Sequence, residues 1–447
     1  MDIKVFKDIL FEKAKQQGFL DCEIFYQISE SLEISVLKGD IEKFENETSG
    51  GVSFRGIYDG KMGYSYAEQI SQDVIDNLIN YAKENAQIID DEEKEEIYEG
   101  DKNYKQVKSF YENIENIDVD TLTKKAFEIE QAVLKYDNKI TNCEHCLAAK
   151  GYGKVYISNT KGLDLFREGN CLIFSASALV EQDGVVKSGG KTKIVFDIDD
   201  IDTKSFGEKV AKKALSCLGA TSLPSKKYNI VFENKTFSSL LSCFLGSFYA
   251  ENVQKGFSLL KGKLNEKISS SLITILDEPL MEKGYKSSGF DAEGVACFNK
   301  TVVENGVLKT YLYNLKSAKK DGVKSTGNAI KGGYKGKIGT SCSNFYIKNG
   351  QKPLTQIFEQ AKDGVYITSL SGLHAGVNSI SGDFSLLATG YLIENGKKTK
   401  PVEQITIAGN FYEVLKNVKD LADDLYFTTS GIGCPSVFVG ELNISGQ

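Results

Sequence analysis

The stretch Gly51-Val-Ser-Phe-Arg-Gly-Ile-Tyr-Asp-Gly-Lys-Met-Gly-Tyr-Ser-Tyr66 decides the fold of the amino-terminal half. It divides into two extended runs with Asp59-Gly60 between them, a pair typical of the tight turn of a β-hairpin. Residues 22–28 and 32–36 carry apolar side chains at every second position. Such alternation is typical of antiparallel strands with one buried face. The sequence therefore predicts an antiparallel sheet in this half of the chain.

Helical spacing of apolar residues surrounds these strands. It predicts four helices, near residues 5–14, 74–82, 120–134 and 206–218. The stretch Ala220-Thr-Ser-Leu-Pro-Ser-Lys-Lys227 then interrupts the periodicity and contains one of only five prolines. Because domain linkers have this composition, we place a boundary there, with an N-terminal domain over 1–220 and a C-terminal domain over 221–447.

The C-terminal half combines an apolar helix with many short strands. A strand at 228–232 precedes a helix from about Thr236 to Ala250, whose apolar residues cover most of its circumference and predict burial. Asn305-Gly306 and Asn395-Gly396 each stand between extended segments, as in two-residue hairpins. Helices and antiparallel strands in both halves predict an α+β fold class.

The composition excludes several classes of protein. The chain has 447 residues and a formal net charge of −7, and its basic residues include only two arginines, Arg55 and Arg167. Because nucleic-acid binding depends on dense basic patches and arginine forks, we expect no nucleic-acid partner. The acid-rich run Asp90-Asp-Glu-Glu-Lys-Glu-Glu96 is typical of a solvated surface segment, with a cationic partner as the alternative.

The sequence also indicates the compartment. Its first residues lack the basic and apolar regions typical of a signal peptide, and no apolar stretch of about 18 residues occurs. We therefore expect a cytoplasmic protein without a membrane partner. Nine scattered cysteines fit reduced thiols better than a disulfide framework.

Metal-site candidates are few, because the chain has only two histidines, His145 and His374. Cys143-Glu-His-Cys146 has the spacing of a zinc half-site, but no second cysteine pair stands out. An alternating strand follows Cys146, so we interpret both cysteines as strand packing, with metal binding and redox chemistry as alternatives.

Two glycine-rich segments are candidates for function. Gly327-Asn-Ala-Ile-Lys-Gly-Gly-Tyr-Lys-Gly336 lacks the spacing of a phosphate-binding loop, so we interpret it as a mobile loop. The segment 372–385 has small residues that allow a close backbone approach and polar groups that can hydrogen-bond a peptide. A polar turn that bonds its own backbone is the alternative for this segment. The candidate peptide-cavity residues are His374, Asn378, Ser381, Gly382 and Asp383.

Six motifs, in this order along the second half, resemble those of the TldD/PmbA family. They are Ser288-Gly-Phe-Asp-Ala-Glu-Gly-Val295, Val302-Val-Glu-Asn-Gly-Val-Leu-Lys-Thr-Tyr-Leu312, Ser325-Thr-Gly-Asn328, Val377-Asn-Ser-Ile-Ser-Gly-Asp-Phe-Ser385, Tyr391-Leu-Ile-Glu-Asn-Gly396 and Ile405-Thr-Ile-Ala-Gly-Asn410. Gly39-Asp-Ile-Glu-Lys-Phe-Glu45 and Gly51-Val-Ser-Phe-Arg-Gly56 are similar to the family as well. The resemblance covers essentially the whole chain.

The resemblance implies a fold and an assembly. It implies an N-terminal helix-and-antiparallel-sheet domain and a C-terminal domain with a large curved antiparallel sheet. Family members form dimers that enclose a peptide-sized cavity. The well-understood assembly pairs a TldD-type subunit, which carries zinc, with a PmbA-type (TldE) subunit, and cleaves unfolded peptides. Older names call the family modulators of DNA gyrase.

The zinc site of TldD-type members uses His-Glu-x-x-x-His on a helix and a distal cysteine. The resemblance places Leu241-Ser-Cys-Phe-Leu-Gly246 at that helix, where both histidines and the glutamate are missing. Cys243 does not match a ligand position, and Cys434 does not clearly match the distal cysteine. The resemblance therefore implies a PmbA-type subunit without a cofactor of its own and with no catalytic or metal residue carried over.

Three functions stay open at this point. The first is a non-catalytic subunit of a cytosolic zinc metallopeptidase that works with a TldD-type partner on unfolded peptides. The second is a stand-alone homodimer that binds peptides or a regulatory partner without hydrolysis. The third is a peptidase with other chemistry, centred on His374 and Asp383.

Overall fold

The secondary structure is taken from a computed structural model that describes residues 1–88 and 95–447. The helices are α1 (Ile3–Gln16), α2 (Gln72–Ile88), α3 (Glu112–Glu115), α4 (Val119–Leu134), α5 (Thr203–Leu215), α6 (Asn234–Ser242), α7 (Ala250–Gln254), α8 (Leu315–Asp321), α9 (Leu354–Ala361) and α10 (Phe411–Asn417). The strands of the N-terminal half are β1 (Phe19–Leu37), β2 (Asp40–Tyr58), β3 (Lys61–Ala67), β4 (Ile140–Asn159), β5 (Asp164–Gln182) and β6 (Val185–Val195).

The strands of the C-terminal half are shorter and more numerous. They are β7 (Lys226–Phe232), β8 (Ile275–Asp277), β9 (Lys300–Glu304), β10 (Val307–Leu308), β11 (Ala329–Lys331), β12 (Ile338–Thr340), β13 (Phe345–Ile347), β14 (Gly364–Ser371), β15 (Asp383–Glu394), β16 (Lys397–Asn410), β17 (Asp420–Leu421), β18 (Tyr426–Phe427), β19 (Ile432–Cys434) and β20 (Val437–Ser445). Apart from Glu95 and Glu96, the acid-rich run interpreted as a surface segment lies outside the described residues.

The N-terminal strands form one antiparallel sheet, as the alternation predicts. The strand order in this sheet is β3-β2-β1-β4-β5-β6. The hairpin of β2 and β3 turns at Asp59-Gly60, where both residues have positive φ. Because twisted strands of this length accumulate curvature, the sheet curls into a half-barrel. Helices α1 and α2 pack against β1 and β2 around Phe6 and Phe54, and α4 and α5 form a second core with β4 and β5.

The C-terminal half contains a closed barrel. Strands β16, β15, β14, β7 and β20 pair in that order, and an additional pairing of β16 with β20 closes the ring. The hairpin of β15 and β16 turns at Asn395-Gly396, as predicted. The α+β fold class is confirmed, and the curved sheet implied for this half closes into a barrel in which one pair, β7 with β14, is parallel.

A second sheet, with the order β10-β9-β8-β13-β19-β18, packs beside α6. The predicted turn at Asn305-Gly306 joins β9 and β10 in this sheet. The glycine-rich segment 327–336, interpreted as a mobile loop, is part of a two-stranded hairpin of β11 and β12. Below, we call residues 329–340 the bridging hairpin.

The helix predicted from Thr236 to Ala250 is wrong in its extent. Helix α6 ends at Ser242, a 3₁₀ turn spans Leu245–Phe248, and α7 begins at Ala250. The competing interaction is a backbone pairing, because the Ala250 N–H donates to the Leu312 carbonyl at 2.9 Å and the Leu312 N–H donates to the Phe248 carbonyl at 2.8 Å. Tertiary pairing therefore overrides the helical periodicity in this segment.

The boundary predicted after residue 220 falls between α5 and β7 and stays a prediction. Within residues 1–88 and 95–447, no helix is long and apolar enough to cross a membrane.

Candidate functional site

A large cavity lies between the N-terminal half-barrel and the C-terminal half, and we call it the central cavity. Its volume is about 2010 Å³, roughly twice the upper end of the usual range for small-molecule pockets. Its walls come from residues 53–66, 95–105, 293–298, 314–325 and 331–338. The cavity is therefore large enough for a peptide segment.

A buried ion pair forms part of the cavity floor. Arg55 Nε donates to Glu23 Oε1 at 2.7 Å, and the two side chains are only 6% and 3% exposed. The pair is a direct cross-strand pair of β1 and β2. Asn159 Nδ2 donates to the other oxygen of Glu23 at 3.4 Å. The half-barrel thus holds the guanidinium of Arg55 in a fixed orientation at the cavity wall.

Glu293 adds a second buried carboxyl group to this wall. Its Oε2 accepts a hydrogen bond from the Leu315 N–H at 2.8 Å. Burial, followed by repulsion from Asp291, raises the pKa of Glu293 to about 8, although Arg55 opposes the shift. Burial at this wall therefore favours the uncharged form of Glu293.

Asp291 connects the loop that carries Glu293 to the bridging hairpin. Its Oδ1 accepts from the N–H groups of Glu293 and Val295 at 2.9 and 3.0 Å. Its Oδ2 accepts from the Ala329 N–H at 2.9 Å. Burial raises the pKa of Asp291 to about 6, while these backbone hydrogen bonds and Arg167 limit the shift. The two arginines of the chain thus both face the segment 291–293.

Lys331 extends from the bridging hairpin to the floor of the half-barrel. Its Nζ donates to Ser53 Oγ and lies 4.9 Å from the ring centre of Phe25. Burial, followed by repulsion from Arg55, lowers the pKa of Lys331 to about 7, while Glu23 opposes the shift. The amine therefore changes charge near neutral pH, which is typical of functional sites.

Aromatic and ionic contacts hold the tip of the bridging hairpin against the half-barrel. The ring of Tyr334 meets Tyr66 edge-on at 6.1 Å, and Lys335 pairs with Glu68 at 2.7 Å. A Cβ on Gly51 would lie 2.6 Å from the Tyr334 ring and 2.4 Å from the Ala67 carbonyl, so only glycine allows this approach. The hairpin thus spans the two halves of the molecule beside the cavity.

The five residues predicted to line a peptide cavity lie on or beside the connection between β14 and β15. His374 is exposed, while Ser381 Oγ donates to Asp383 Oδ2 at 2.8 Å. Asn378 Oδ1 accepts from the N–H groups of residues 380 and 381. Gly382 has φ +88°, and a Cβ there would meet the Tyr412 ring at 2.5 Å.

The sequence of the segment 372–385 allows two interpretations, a peptide-binding loop and a polar turn that bonds its own backbone. These contacts are typical of the polar turn. Asn410 Nδ2 donates to Asp383 Oδ1 at 2.9 Å, and this bond and that from Ser381 lower the pKa of Asp383. The described residues that line the central cavity include none of the five. Their assignment to a peptide cavity stays a prediction.

We expect Asn378→Ala to lower the free energy of unfolding by about 1 kcal/mol, because two backbone N–H groups of the turn lose their acceptor. His374→Ala is the matched control on the same loop, and we expect it to leave stability unchanged because His374 is exposed. Urea unfolding of both variants measures the difference. Equal stability of the two variants would show that the turn does not depend on Asn378.

The central-cavity residues Glu23, Arg55, Glu293 and Lys331 were not among the candidates identified from the sequence. Sequence signals were available for two of them, Arg55 and Glu293. Arg55 is one of only two arginines, and Glu293 lies in the family motif 288–295. Lys331 lies in the glycine-rich segment that was interpreted as a loop.

The window 241–246, aligned by resemblance with a zinc-binding helix, lies at the end of α6 and in the turn that follows it. Leu241 is fully buried, and the ring of Phe244 stacks on Phe411 with centres 4.1 Å apart. Cys243 Sγ donates to the Ser239 carbonyl at 3.5 Å. Cys434 is fully buried against α6, and burial raises the pKa of its thiol to about 12. These side chains do not fit a zinc site.

The second metal-site candidate, Cys143 and Cys146, lies on β4. A bulge between Cys143 and His145 interrupts the alternation, and both cysteines are fully buried while His145 is exposed. Cys146 Sγ donates to the Ala126 carbonyl of α4 at 3.2 Å. Both thiols thus pack in the core between β4 and α4, as the packing interpretation predicts. Within the described residues, no group of three or more His, Cys, Asp or Glu side chains could hold a metal ion.

Three models of the PmbA/TldA metallopeptidase match the chain. Domain 1 matches residues 22–86, the central domain matches 112–218, and the C-terminal domain matches 225–446. The chain is similar to the metalloprotease PmbA of Escherichia coli O157:H7, with 31% identity over 326 residues that cover 72% of this chain and 69% of that protein.

Two solved structures have the same fold as this chain. A Thermotoga maritima protein described as a proposed modulator of a DNA gyrase superimposes with a TM-score of 0.92 and 32% identity, over 99% of this chain and 100% of that one. TldE from Thermococcus kodakarensis shares the fold with a TM-score of 0.91 at 22% identity, over 99% and 100% of the two chains. Half-barrel and closed barrel thus define an α+β fold that the chain shares with these proteins. The chain belongs to the PmbA/TldD metallopeptidase family.

Proposed function

We propose that the chain is the PmbA-type (TldE-type), non-catalytic subunit of a cytosolic zinc metallopeptidase. In this proposal a TldD-type partner carries the zinc and cleaves unfolded peptides, and this chain binds and positions them. Membership of the family and the likeness of the fold to TldE support the proposal.

The observation that carries the proposal is the side-chain set at the window 241–246. Catalytic zinc sites take three protein ligands, keep an open position and need a base near the bound water. Here the helix presents a buried leucine, and Phe244 is stacked in the core. His145 and His374, the only histidines of the chain, lie on β4 and on the connection after β14. The chain's own residues therefore perform binding and positioning in this proposal.

The central cavity provides the surface for this role. Its size suits an extended peptide, and its wall combines the tyrosines of β3 with charged groups from both halves of the chain. The exposed loop with His374 and Asn378 is a second, separate place where a peptide could contact the protein. In this proposal, the bound peptide also contacts this loop.

A stand-alone peptide-binding homodimer is the second candidate function. The observation that favours it is that residues of a single chain form the central cavity. Because a partner's zinc is not needed for peptide binding, this function predicts the same binding without any cleavage. Equilibrium sedimentation of the chain alone and mixed with a TldD-type protein separates the two assemblies.

The proposed division of labour predicts a metal content and a pattern of activity. We expect near zero zinc per chain in protein purified without chelators and without a histidine-rich tag. We expect peptide cleavage only when a TldD-type protein of the same genome is added, and weaker cleavage by that protein alone. Metal analysis and cleavage of an unfolded peptide measure both. One zinc per chain, or cleavage by the pure chain, would contradict the proposal.

A further inference from the structure

Arg55 has unused hydrogen-bonding capacity at the floor of the central cavity. Its guanidinium pairs with Glu23 through Nε, whereas the buried Nη2 has no hydrogen-bond partner among the described residues. A buried donor without a partner loses its hydrogen bonds to water and gains none in return, which is unfavourable. The planar fork of arginine matches the two oxygens of a carboxylate. Arg55 therefore points to an anionic ligand of this shape.

The register of the sheet places a second cation beside Arg55. Ser53 and Arg55 are two residues apart on one face of β2, and their cross-strand partners on β1 are Phe25 and Glu23. Lys331 Nζ contacts both Ser53 and the ring of Phe25. An ammonium group has three donors, so the contact with Ser53 leaves capacity for a ligand. Two cationic side chains thus lie next to each other on the cavity floor.

The charge balance of this floor favours an anion. Glu23, from β1, is the carboxylate that pairs with Arg55 and attracts Lys331. Glu293 approaches Arg55 from the loop 291–295, and burial raises its pKa and favours its uncharged form. When Lys331 is protonated and Glu293 is uncharged, the group of Arg55, Lys331, Glu23 and Glu293 has a net positive charge.

We propose that Arg55 and Lys331 form a subsite in the central cavity that binds a carboxylate of a peptide, either its C-terminus or an acidic side chain. The inference rests on the proposed function, because it identifies which part of a peptide the cavity holds. Charge-assisted hydrogen bonds from an arginine fork and an ammonium are strong and specific for carboxylates. The subsite would thus fix one end or one side chain of the peptide.

Binding of a carboxylate at this subsite should change the protonation state of Lys331. The ligand stabilises the ammonium form of Lys331 against burial and against repulsion from Arg55, so binding takes up a proton above about pH 7. As pH rises, Lys331 loses its positive charge and Glu293 gains a negative charge. Both changes weaken carboxylate binding. Affinity should therefore fall about tenfold between pH 6.5 and 8.5.

The test is titration calorimetry of the full chain with three versions of one flexible peptide without Asp or Glu. They are the free acid, the C-terminal amide, and the amide with one internal glutamate. We expect the free acid to bind about tenfold more tightly than the amide at pH 7. Heats in two buffers of different ionisation enthalpy at pH 7.5 should show proton uptake with the free acid only. Recovery of tight binding by the internal glutamate would identify an acidic side chain as the source.

Variants separate the subsite from general peptide binding. Lys331→Met should abolish the proton uptake and the preference for the free acid. Arg55→Lys keeps the charge but removes the fork, and should weaken binding of the free acid without removing the proton uptake. Lys348→Met, at an exposed position after β13, is the matched control.

The outcomes distinguish this inference from the proposed function. Equal binding of free acid and amide, without proton uptake, would overturn the subsite and leave peptide binding intact. Failure of all three peptides to bind would overturn the subsite and the peptide-binding role together. A preference for the free acid that survives in Lys331→Met and Arg55→Lys would also overturn the assignment of the subsite to these residues.

Discussion

Arg55→Met lowers the free energy of unfolding by about 3–5 kcal/mol, the expected result of removing one partner from a buried ion pair. The side chain of Glu23 is 3% exposed, and its Oε1 receives the hydrogen bond from Arg55 Nε at 2.7 Å. Without Arg55 this carboxylate stays buried next to one amide donor, Asn159. Lys331 still attracts Glu23 in the variant and compensates part of its negative charge. We therefore expect a loss of stability toward the lower end of this range.

Chemical denaturation of Arg55→Met and of the double variant Arg55→Met/Glu23→Gln measures this effect. We expect the double variant to recover much of the lost stability, because it removes the uncompensated charge. Lys43→Met is the matched control, since Lys43 and Glu45 pair at 2.8 Å with 48% and 52% exposed side chains. Such exposed pairs contribute little to stability, because water and salt screen their attraction. If Arg55→Met lowers the free energy of unfolding by less than Lys43→Met does, the buried pair does not stabilise the protein.

Local signals were sufficient to predict much of the fold. The turns at Asp59-Gly60, Asn305-Gly306 and Asn395-Gly396 form where the dipeptides predict them, because both residues of each pair adopt positive φ in a tight hairpin. Period-two alternation in residues 22–28 and 32–36 likewise predicted extended structure where strand β1 of the half-barrel lies. Each of these features depends on neighbours within a few residues of the same sequence.

Features that depend on distant pairings were not predictable in this way. The pairing of residues 248–250 with Leu312 shortens the predicted helix, and the pairing of β16 with β20 closes the barrel. Both join residues that are far apart in sequence. A single sequence without co-varying positions gives no information on such contacts.

The candidate site shows the same division between local and distant information. The polar segment 372–385 was identified from its composition, and its side chains bond mainly to their own loop. The groups with shifted pKa values come from three distant segments, β1–β2, the loop 291–295 and the bridging hairpin. Their shifts arise from burial in the assembled cavity, a property that no local motif encodes.

Lys300→Met is expected to lower the free energy of unfolding by about 3–5 kcal/mol, again because a buried carboxylate loses its counter-ion. Asp277 is fully buried, and Lys300 Nζ donates to its Oδ2 at 3.1 Å. Asn328 Nδ2 donates to the same oxygen at 2.8 Å, and Ser343 donates to Oδ1 through its N–H and its hydroxyl, both at 2.7 Å. These neutral donors remain in the variant but do not replace the charge of Lys300.

Lys300→Met also tests whether the buried pair holds the bridging hairpin in place at the cavity wall. Asn328 precedes the bridging hairpin directly, and its Nδ2 donates both to Asp277 and to the Ser341 carbonyl at the other end of the hairpin. Loss of Lys300 should therefore increase hydrogen exchange in residues 329–340, which carry Lys331, more than in the distant half-barrel. Lys309→Met, from an exposed pair with Glu304, is the control for stability. If Lys300→Met lowers stability while exchange in the hairpin stays unchanged, the buried pair stabilises the C-terminal core without positioning the cavity wall.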